Sequence, residues 1–537
     1  MILTFATPKF ESPFRNWVPN WLQITVAVII LLPVMMINGA YIGSNVDVSS
    51  YLGVISEDIN MAFYSCSVGM AVAYLIVPRV KKVMNTKTII IMDLLFQVVL
   101  SFICARTNYI EVIIFCSFFI GYFKAFTMRE TIFLLMKPFS PSNTRNEFYA
   151  KFYPITLTCS QLSYALTAVI AYNFNWQYMY YLMIIMLLVA IFVVIICMKS
   201  FNFKGVIDIP YKTIDWVSFF LISVCWICIV YVTTYGKTLD WFNSTNIIIG
   251  ALLIPVTGWL FIRRQFRDDP LLDMSILKNR NSTTIYVLSF VLMFYASFSN
   301  LVSTYILNVL RLDSGHVNRL YMYSVPGFIV GGFICYYWYK KELRMAWLIF
   351  LGFACFTLSL AILYFRISPR GLYSDMYLLM FLRGIGMLVL FVAFGIYVIY
   401  GLEPRQMPYN SFFLISSRSV LAPAVASSIL TNWMYRLQQR NIIYLSQNVD
   451  MQNDLAAGSF SSSLRNALGQ GWNFDDARRL ATNSIYQTVQ IQATAVSVKT
   501  IAGWMLIFGI VLLVVIILYF LRFTPVRIMM IGRDLTG

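Results

Sequence analysis

Charged residues are scarce in this sequence. Of its 537 residues, only 12% are Asp, Glu, Lys or Arg, whereas 59% belong to the hydrophobic set AVILMFWYC. Soluble globular proteins carry about 25% charged residues, so this chain lacks half of the usual solubilising surface. At roughly 20 apolar residues per crossing, the chain could supply many membrane spans and would leave no room for a large soluble domain. The composition predicts an integral membrane protein and excludes a soluble catalytic domain.

Residues and motifs that carry much enzyme chemistry are also missing. The chain has a single histidine, His316, which we assign to an external loop, and it has no GxxxxGK[ST], HExxH or GxSxG motif. Its 9 cysteines, an odd number, all fall inside apolar segments, so no disulfide framework follows. Cys225 and Cys228 have CxxC spacing, but they lie within a span and have no second pair. We therefore expect no metal, no cofactor and no enzymatic activity.

The excess of positive charge could indicate nucleic-acid binding. The chain carries 40 Lys and Arg against 23 Asp and Glu, which gives a net charge of +17. These bases stand in short clusters between apolar runs rather than in one stripe, a pattern typical of cytoplasmic loops. We therefore expect membrane lipid, and no nucleic acid, around this protein.

Apolar runs bounded by charged and turn residues predict membrane spans. They lie at 22–42, 59–77, 88–105, 110–136, 151–172, 177–198, 214–235, 244–262, 283–308, 320–339, 345–365, 376–400, 411–434 and 497–521. This even number places both termini on one side. The strongest basic clusters, at 79–87, 263–267 and 340–344, fall on that side. The positive-inside rule therefore predicts a multi-pass protein with both termini in the cytoplasm.

A weak internal repeat relates the first six spans to the last six. The sequence VPRVKKV after span 2 resembles WYKKELR after span 10, and Gly121 matches Gly384 in the fourth helix of each half. Spans 7 and 8 have no counterpart. Repeats of this kind are typical of transporters built from two bundles. We therefore predict an all-α polytopic membrane protein with 14 transmembrane helices, arranged as two six-helix bundles plus an inserted helix pair.

These spans divide the chain into segments. They are a cytoplasmic N-terminal segment at 1–21, an N-terminal six-helix bundle at 22–200, the inserted helix pair at 208–265, a C-terminal six-helix bundle at 282–522 with an external loop at 435–496, and a cytoplasmic tail at 523–537. In the external loop, Asn473 is a predicted N-cap, and the helix that it begins could run directly into span 14. The loop is either a docking surface for an external partner or a solvated helical extension.

Some charged residues remain inside the predicted spans, where burying a charge costs about 2.5 kcal/mol or more, so each is a candidate for mechanism. They are Asp93 in span 3, Lys124, Arg129 and Glu130 in span 4, Arg383 in span 12 and Arg418 in span 13. Lys124 and Glu130 do not share a helix face, because six residues correspond to a rotation of about 600°. We expect a partner for Lys124 on another helix, with Asp93 among the few carboxylates available. Arg129 and Glu130 could instead extend to the membrane interface.

Several stretches of the chain resemble one group of transporters. They are TIDWVSFFLISV, GKTLDWFNSTNIII and RRQFRDDPLLDMSILKNRNST in the middle, RGIG at 383–386, SSRSVLAPAVASS around Arg418, and YQTVQIQATAVSVKTIAGWMLIF near the end. Together they resemble the 14-helix drug:proton antiporters of the EmrB/QacA type in the major facilitator superfamily, most specifically over 208–285. The resemblance implies a secondary active transporter in the cell inner membrane that exports small amphipathic compounds by alternating access, coupled to protons. It also implies a periplasmic adaptor protein and an outer-membrane channel as candidate partners.

The first bundle departs from the motifs of that group. PRVKKVMNTK, between spans 2 and 3, has neither the Asp nor the Gly of the group, and the Gly-Pro motif of helix 5 is absent. Ser117 stands where the fourth helix of the group has an Arg, and Asn38 stands near its helix 1 acid. We therefore regard Asp93 and Glu130 as the proton-coupling candidates.

The remaining candidates are basic or neutral. Lys124, Arg383 and Arg418 would organise the bundles or face an anionic cargo, and Arg129 could replace one of the missing group residues. Two alternatives stay open. One is a carrier specific for one metabolite or lipid, and the other is a non-transporting membrane sensor or enzyme, for which only 435–496 could house a site.

Overall fold

The structure, a computed structural model, describes residues 13–43, 45–140, 145–200, 214–267, 270–403, 406–447, 449 and 453–523. Over these residues the chain is helical, and its only β-type pairing is a single bridge between Phe14 and Met198. The predicted N-terminal segment falls largely, and the predicted cytoplasmic tail almost entirely, outside the described residues.

The first part of the chain forms one helical bundle. Its helices are α1 (Asn20–Ile42), α2 (Asn45–Leu52), α3 (Ser56–Ala73), α4 (Val77–Val83), α5 (Thr86–Arg106), α6 (Ile110–Phe139), α7 (Arg145–Asn173) and α8 (Gln177–Cys197). The long helices α1, α3, α5, α6, α7 and α8 lie at the first six predicted spans. Within the bundle, α6 packs against α1, α3 and α5, and α8 packs against α1 and α5. These contacts place α6 at the centre of the bundle, so several of its polar residues are buried.

A helix pair follows the first bundle. It consists of α9 (Trp216–Tyr235) and α10 (Thr245–Gln265), which pack against each other. Arg264 closes one end of the pair, because its Nη2 and Nε lie 2.8 and 3.1 Å from the two carboxylate oxygens of Asp215. Partial burial raises the pKa of Asp215, but the hydrogen bonds from Arg264 and Ser218 outweigh it and bring the pKa to about 2. This ion pair joins two of the stretches that carry the family resemblance.

The rest of the chain forms a second bundle. Its helices are α11 (Arg280–Ala296), α12 (Ser299–Thr304), α13 (Ser314–Met322), α14 (Ser324–Lys340), α15 (Met345–Arg366), α16 (Asp375–Tyr397), α17 (Met407–Ile415), α18 (Ala422–Ser446), α19 (Asp454–Gly469) and α20 (Phe474–Phe523). Here α16 packs against α11, α14 and α15, and α20 packs against α15 and α18. The second bundle thus has its own buried core, built around α16.

Three predicted spans of the second bundle are interrupted. Span 9 ends in a π-helical turn at Tyr305–Val309, span 10 is divided between α13 and α14, and span 13 contains a second π-helical turn at Ser416–Leu421. A π-helical turn holds one extra residue and interrupts the regular backbone ladder, often at functional sites. The assignment of His316 to a loop is wrong, because the residue lies in the first turn of α13, which Asp313 caps.

The predicted fold class is confirmed. Thirteen helical stretches of the described chain are long and apolar enough to cross a membrane, and α3, with 18 residues and several polar side chains, stands at the remaining predicted span. The protein is therefore an all-α, multi-pass membrane protein.

Two glycines have the same structural role in the two bundles. A Cβ atom on Gly121 of α6 would lie 1.9 Å from the carbonyl oxygen of Cys66 in α3, and one on Gly384 of α16 would lie 2.4 Å from the carbonyl oxygen of Ser324 in α14. Each bundle therefore has a close helix crossing at this matched position that only glycine permits. The match that we predicted between Gly121 and Gly384 has this physical basis.

The segment at 435–496 is mostly helical rather than an open loop. It contains the end of α18, all of α19 and the first part of α20, a helix of 50 residues or about 75 Å. The side chain of Asn473 accepts a hydrogen bond from the Asp476 backbone N–H at 2.8 Å, so the predicted N-cap is confirmed. The hydrogen bond from Gln438 Nε2 to Thr494 Oγ1, at 2.9 Å, links α18 to α20. The segment is a helical extension of the second bundle.

Candidate functional site

A buried polar stripe runs along α6 in the centre of the first bundle. It consists of Ser117, Lys124, Thr127, Glu130 and Thr131, each at most 2% exposed. At 100° per residue these positions span about 140° of the helix circumference, with Lys124 and Glu130 about 120° apart towards its two edges, so they form a broad buried stripe rather than a single helix face. A buried polar stripe of this kind inside a membrane bundle is costly unless it has partners, which makes it the first place to look for function.

Lys124 and Asn38 lie together. The Nζ atom of Lys124, in the middle of α6, donates a hydrogen bond to Asn38 Oδ1 of α1 at 3.0 Å. The expectation of a partner on another helix is therefore correct, but the partner is a neutral amide rather than Asp93. The two sequence candidates form a pair in which a buried cation meets no carboxylate.

Asp93 lies on α5 and faces the same stripe. It is 5% exposed, and its Oδ2 accepts a hydrogen bond from Thr127 Oγ1 at 3.2 Å. Over the described part of the chain, Asp93 makes no ion pair with Lys or Arg. A buried carboxylate without a cation is a group whose protonation depends on whether water reaches it.

Glu130 forms the buried ion pair of this bundle. Its Oε2 is in direct contact with Lys81 Nζ from α4, and the two side chains are 1% and 11% exposed. Lys81 also donates to Thr86 Oγ1 at 2.9 Å and lies 4.7 Å from the centre of the Phe133 ring. The other carboxylate oxygen, Oε1, has no hydrogen-bond partner among the described residues. Glu130 is thus held in the bundle and does not extend to the membrane interface.

Sequence reasoning missed Lys81 as a member of the site. We interpreted it only as one of the basic residues that fix orientation. The signal that could have identified it is its position in the connection between spans 2 and 3, because that connection lies at the end of the bundle where Glu130 is found.

Arg129 and Arg418 belong to different bundles but share one neighbour. Both interact electrostatically with Tyr74, which follows α3. Arg129 is half-buried and lies 5.9 Å from the centre of the Phe133 ring. Arg418 lies in the second π-helical turn, with its guanidinium 4.2 Å from the centre of the Phe391 ring. Such cation–π contacts contribute about 0.5–2 kcal/mol.

The two bundles meet along α7, which contacts α13, α14 and α16. Tyr153 of α7 packs edge-on against Phe391 of α16, with ring centres 5.8 Å apart. Arg418 contacts the same phenylalanine and therefore lies at this interface.

Arg383 lies on α16 and is 8% exposed. Its Nη2 donates to the carbonyl oxygen of Ala296 at 3.4 Å, and its guanidinium lies 6.0 Å from the centre of the Phe298 ring. Its Nε and Nη1 are buried and have no hydrogen-bond partner in the part of the chain that the structure describes. The site therefore has two parts, a set of titratable groups inside the first bundle and a set of arginines between the bundles.

The chain can be compared with known proteins on this basis. The sequence model of the Major Facilitator Superfamily matches residues 26–427. The chain is 21% identical over 327 residues to the colistin resistance protein EmrB of Acinetobacter baumannii and 22% identical over 289 residues to the probable multidrug resistance protein EmrY of Escherichia coli. These matches cover 60% and 53% of this chain, and 61% and 54% of the two relatives, so they span less than two thirds of the relatives' length.

Solved transporter structures share the architecture. The peptide transporter POT superposes with a TM-score of 0.56 at 15% identity, covering 94% of this chain and 96% of that one. The nucleoside transporter NupG superposes with a TM-score of 0.51 at 10% identity, covering 91% and 99%. At these identities the similarity concerns the fold. Because the family match covers most of the chain and the two-bundle architecture agrees with it, the protein belongs to the Major Facilitator Superfamily, as its resemblance to the 14-helix drug:proton antiporters implied.

Proposed function

We propose that this protein is a proton-coupled exporter of small amphipathic compounds that works by alternating access between its two bundles. The observation that carries the proposal is the pair of buried carboxylates in the first bundle, Asp93 and Glu130, of which only Glu130 has a cation partner among the described residues. The carboxylates lie on neighbouring helices and interact electrostatically. A charged group at membrane depth is retained where it takes part in transport.

The proposed coupling uses the two carboxylates in turn. A proton on Glu130 removes its charge and weakens its contact with Lys81, which loosens α4 from α6. Asp93 exchanges a proton when water enters the bundle, because Thr127 can donate a hydrogen bond to the ionised carboxylate but cannot balance its charge. The movement of protons into the cell would then drive the cargo outwards.

The names of the curated relatives support export as the direction. One is a colistin resistance protein and the other a probable multidrug resistance protein. Resistance by a transporter requires that the compound leaves the cell. By the same reasoning we propose that this protein lies in the cell inner membrane with both termini in the cytoplasm. We propose that it transports protons and small molecules.

Flux in proteoliposomes with an imposed pH gradient tests the coupling. The cargo is a panel of cationic, neutral and anionic amphipathic dyes. We expect wild type to accumulate at least one dye class against its gradient and expect Asp93→Asn and Glu130→Gln to lose gradient-driven flux while dye-for-dye exchange continues. Glu342→Gln is the matched control, because Glu342 is exposed and lies outside the site.

Two results would contradict this proposal in different ways. Gradient-driven flux that survives both Asp93→Asn and Glu130→Gln would remove the coupling assignment. Transport of one compound class with no dye movement would indicate a carrier specific for one metabolite or lipid, and no flux of any kind would indicate a sensor or an enzyme.

We further propose that the helical extension is the docking surface of a periplasmic adaptor protein, which would lead the cargo to an outer-membrane channel. Trp472, in the turn between α19 and α20, is 50% exposed, and Phe474, the first residue of α20, is 60% exposed. Leu455, in the first turn of α19, is 86% exposed. Exposed large apolar side chains on a rigid extension are typical of protein interfaces.

A photo-crosslinking amino acid at position 472 tests this surface in cells. We expect a crosslink to one adaptor-sized protein, and expect Trp472→Ser together with Phe474→Ser to abolish it without loss of folded protein. The control site for the crosslinking amino acid is position 266, where Phe266 is 81% exposed next to the basic end of α10. A crosslink that forms equally from position 266, or none from 472, would contradict the assignment.

A further inference from the structure

We infer that Arg383 is an anion-binding subsite between the two bundles, and that the cargo therefore carries a carboxylate or a similar oxyanion on an aromatic body. The inference rests on the proposed transport function, since it names the class of compound that is moved. It starts from a buried guanidinium with N–H groups that make no hydrogen bond in the described chain.

The donors of Arg383 are only partly satisfied. Of its three nitrogens, Nη2 makes one long hydrogen bond, at 3.4 Å, and the other two are buried without a partner in the described chain. A guanidinium stays protonated in proteins, so it cannot avoid the cost of burial by losing its proton. Each buried donor left unpaired costs about 1–3 kcal/mol, and more when the group is charged. Such an arrangement is expected where a ligand supplies the missing acceptors.

Among the residues that the structure describes, no carboxylate pairs with Arg383. The groups that interact electrostatically with it are the phenols of Tyr321 in α13 and Tyr164 in α7. The Phe298 ring also lies close to the guanidinium, and the OH group of Tyr321 is already bonded to Ser303 Oγ at 2.8 Å. An oxyanion would accept from the free guanidinium donors and balance their charge, whereas a neutral acceptor would leave the charge unbalanced and a cationic head group would be repelled. The rings fit an aromatic body.

The position of Arg383 makes it reachable by cargo. Tyr164 belongs to the first bundle, whereas Arg383 and Tyr321 belong to the second, so groups from both bundles surround the guanidinium. In the present arrangement Arg383 is only 8% exposed. Separation of α7 from α13 and α16, which alternating access requires, would expose Arg383 to water.

The charge balance of the interior agrees with an anionic cargo. Lys124 contacts an amide and Arg418 contacts an aromatic ring. The two buried carboxylates have other partners: Glu130 contacts Lys81, and Asp93 accepts a hydrogen bond from Thr127. Buried cations that contact no carboxylate among the described residues attract anions and repel cations.

Equilibrium binding to purified protein in nanodiscs tests the subsite without requiring transport. Three probes share one ring system and differ in charge, namely 2-naphthoate, 2-naphthylmethylammonium and 2-naphthalenemethanol. We expect wild type to bind 2-naphthoate best, expect Arg383→Gln to bind it at least about tenfold more weakly, and expect Arg383→Lys to lie between them because lysine lacks the planar fork. Binding of 2-naphthalenemethanol should be the same in all three proteins.

The control is Arg366→Gln, which removes the same charge from a side chain that is 63% exposed. Equal affinity of wild type and Arg383→Gln for 2-naphthoate, or a preference of wild type for the ammonium probe, would overturn the inference. Loss of 2-naphthoate binding when phosphatidylglycerol replaces phosphatidylcholine in the nanodisc would assign the subsite to a lipid head group and would also overturn it. If binding behaves as expected but no pH gradient drives flux, the subsite stands and the proposed coupling fails.

Discussion

Replacing Lys81 by methionine is expected to destabilise the first bundle by about 3–5 kcal/mol, because it leaves the buried carboxylate of Glu130 without its cation. The side chain of Glu130 is only 1% exposed, and its carboxylate oxygen Oε1 already lacks a hydrogen-bond partner among the described residues. Thermal unfolding in detergent, followed with a thiol-reactive dye, measures the effect. The dye reports unfolding because most of the cysteines are buried.

A second substitution should restore the stability. In Lys81→Met combined with Glu130→Gln both charges of the pair are removed, and no buried charge remains uncompensated. The matched control is Lys340→Met, because Lys340 is exposed and stands at the position of the repeat that corresponds to Lys81. We expect this control to change stability by less than about 0.5 kcal/mol.

The same double variant separates the structural role of the pair from its proposed role in coupling. If Glu130 carries protons, the rescued protein is folded but has lost gradient-driven flux. A double variant that remains as unstable as Lys81→Met would show that the contact between the two residues is not what stabilises this end of the bundle.

Much of the fold could be predicted from the sequence, because a run of about 20 apolar residues is a strong local signal. The match between Gly121 and Gly384 also identified the tightest kind of crossing in each bundle, since close approach of two backbones needs a residue without a side chain. The π-helical turns at Tyr305–Val309 and Ser416–Leu421 could not be predicted. They depend on how neighbouring helices pack and leave no periodic signal in the sequence.

The site was partly predictable for a related reason. Helical rotation correctly excluded a pair between Lys124 and Glu130, because that is a property of one helix. Choosing between Asn38 and Asp93 as the partner of Lys124 needed the order of helices around α6, which a single sequence does not contain. Lys81 was missed because a basic residue between two spans is interpreted as a sign of the cytoplasmic side. Its contact with Glu130 depends on how α4 packs against α6, which the sequence does not show.

Lys124 gives the second large expected effect, in which stability and transport change in opposite directions. The residue is 2% exposed, and the identified hydrogen-bond partner of its ammonium group is the neutral Asn38. Replacing buried charges by apolar residues of similar volume is often neutral or stabilising by about 1–4 kcal/mol. We therefore expect Lys124→Met combined with Asn38→Leu, which leaves no unpaired amide, to raise the unfolding temperature while gradient-driven flux falls to the level of empty liposomes.

We expect this rise in stability and loss of flux because burying the Lys124 cation costs folding free energy. A protein that would be more stable without a buried charge retains it where the charge serves function. Lys278→Met is the control, because Lys278 is exposed at the end of the short helical turn Met274–Lys278, and it should change neither property. If the double variant instead unfolds at a lower temperature and transports normally per folded molecule, Lys124 holds α1 against α6 and takes no part in transport.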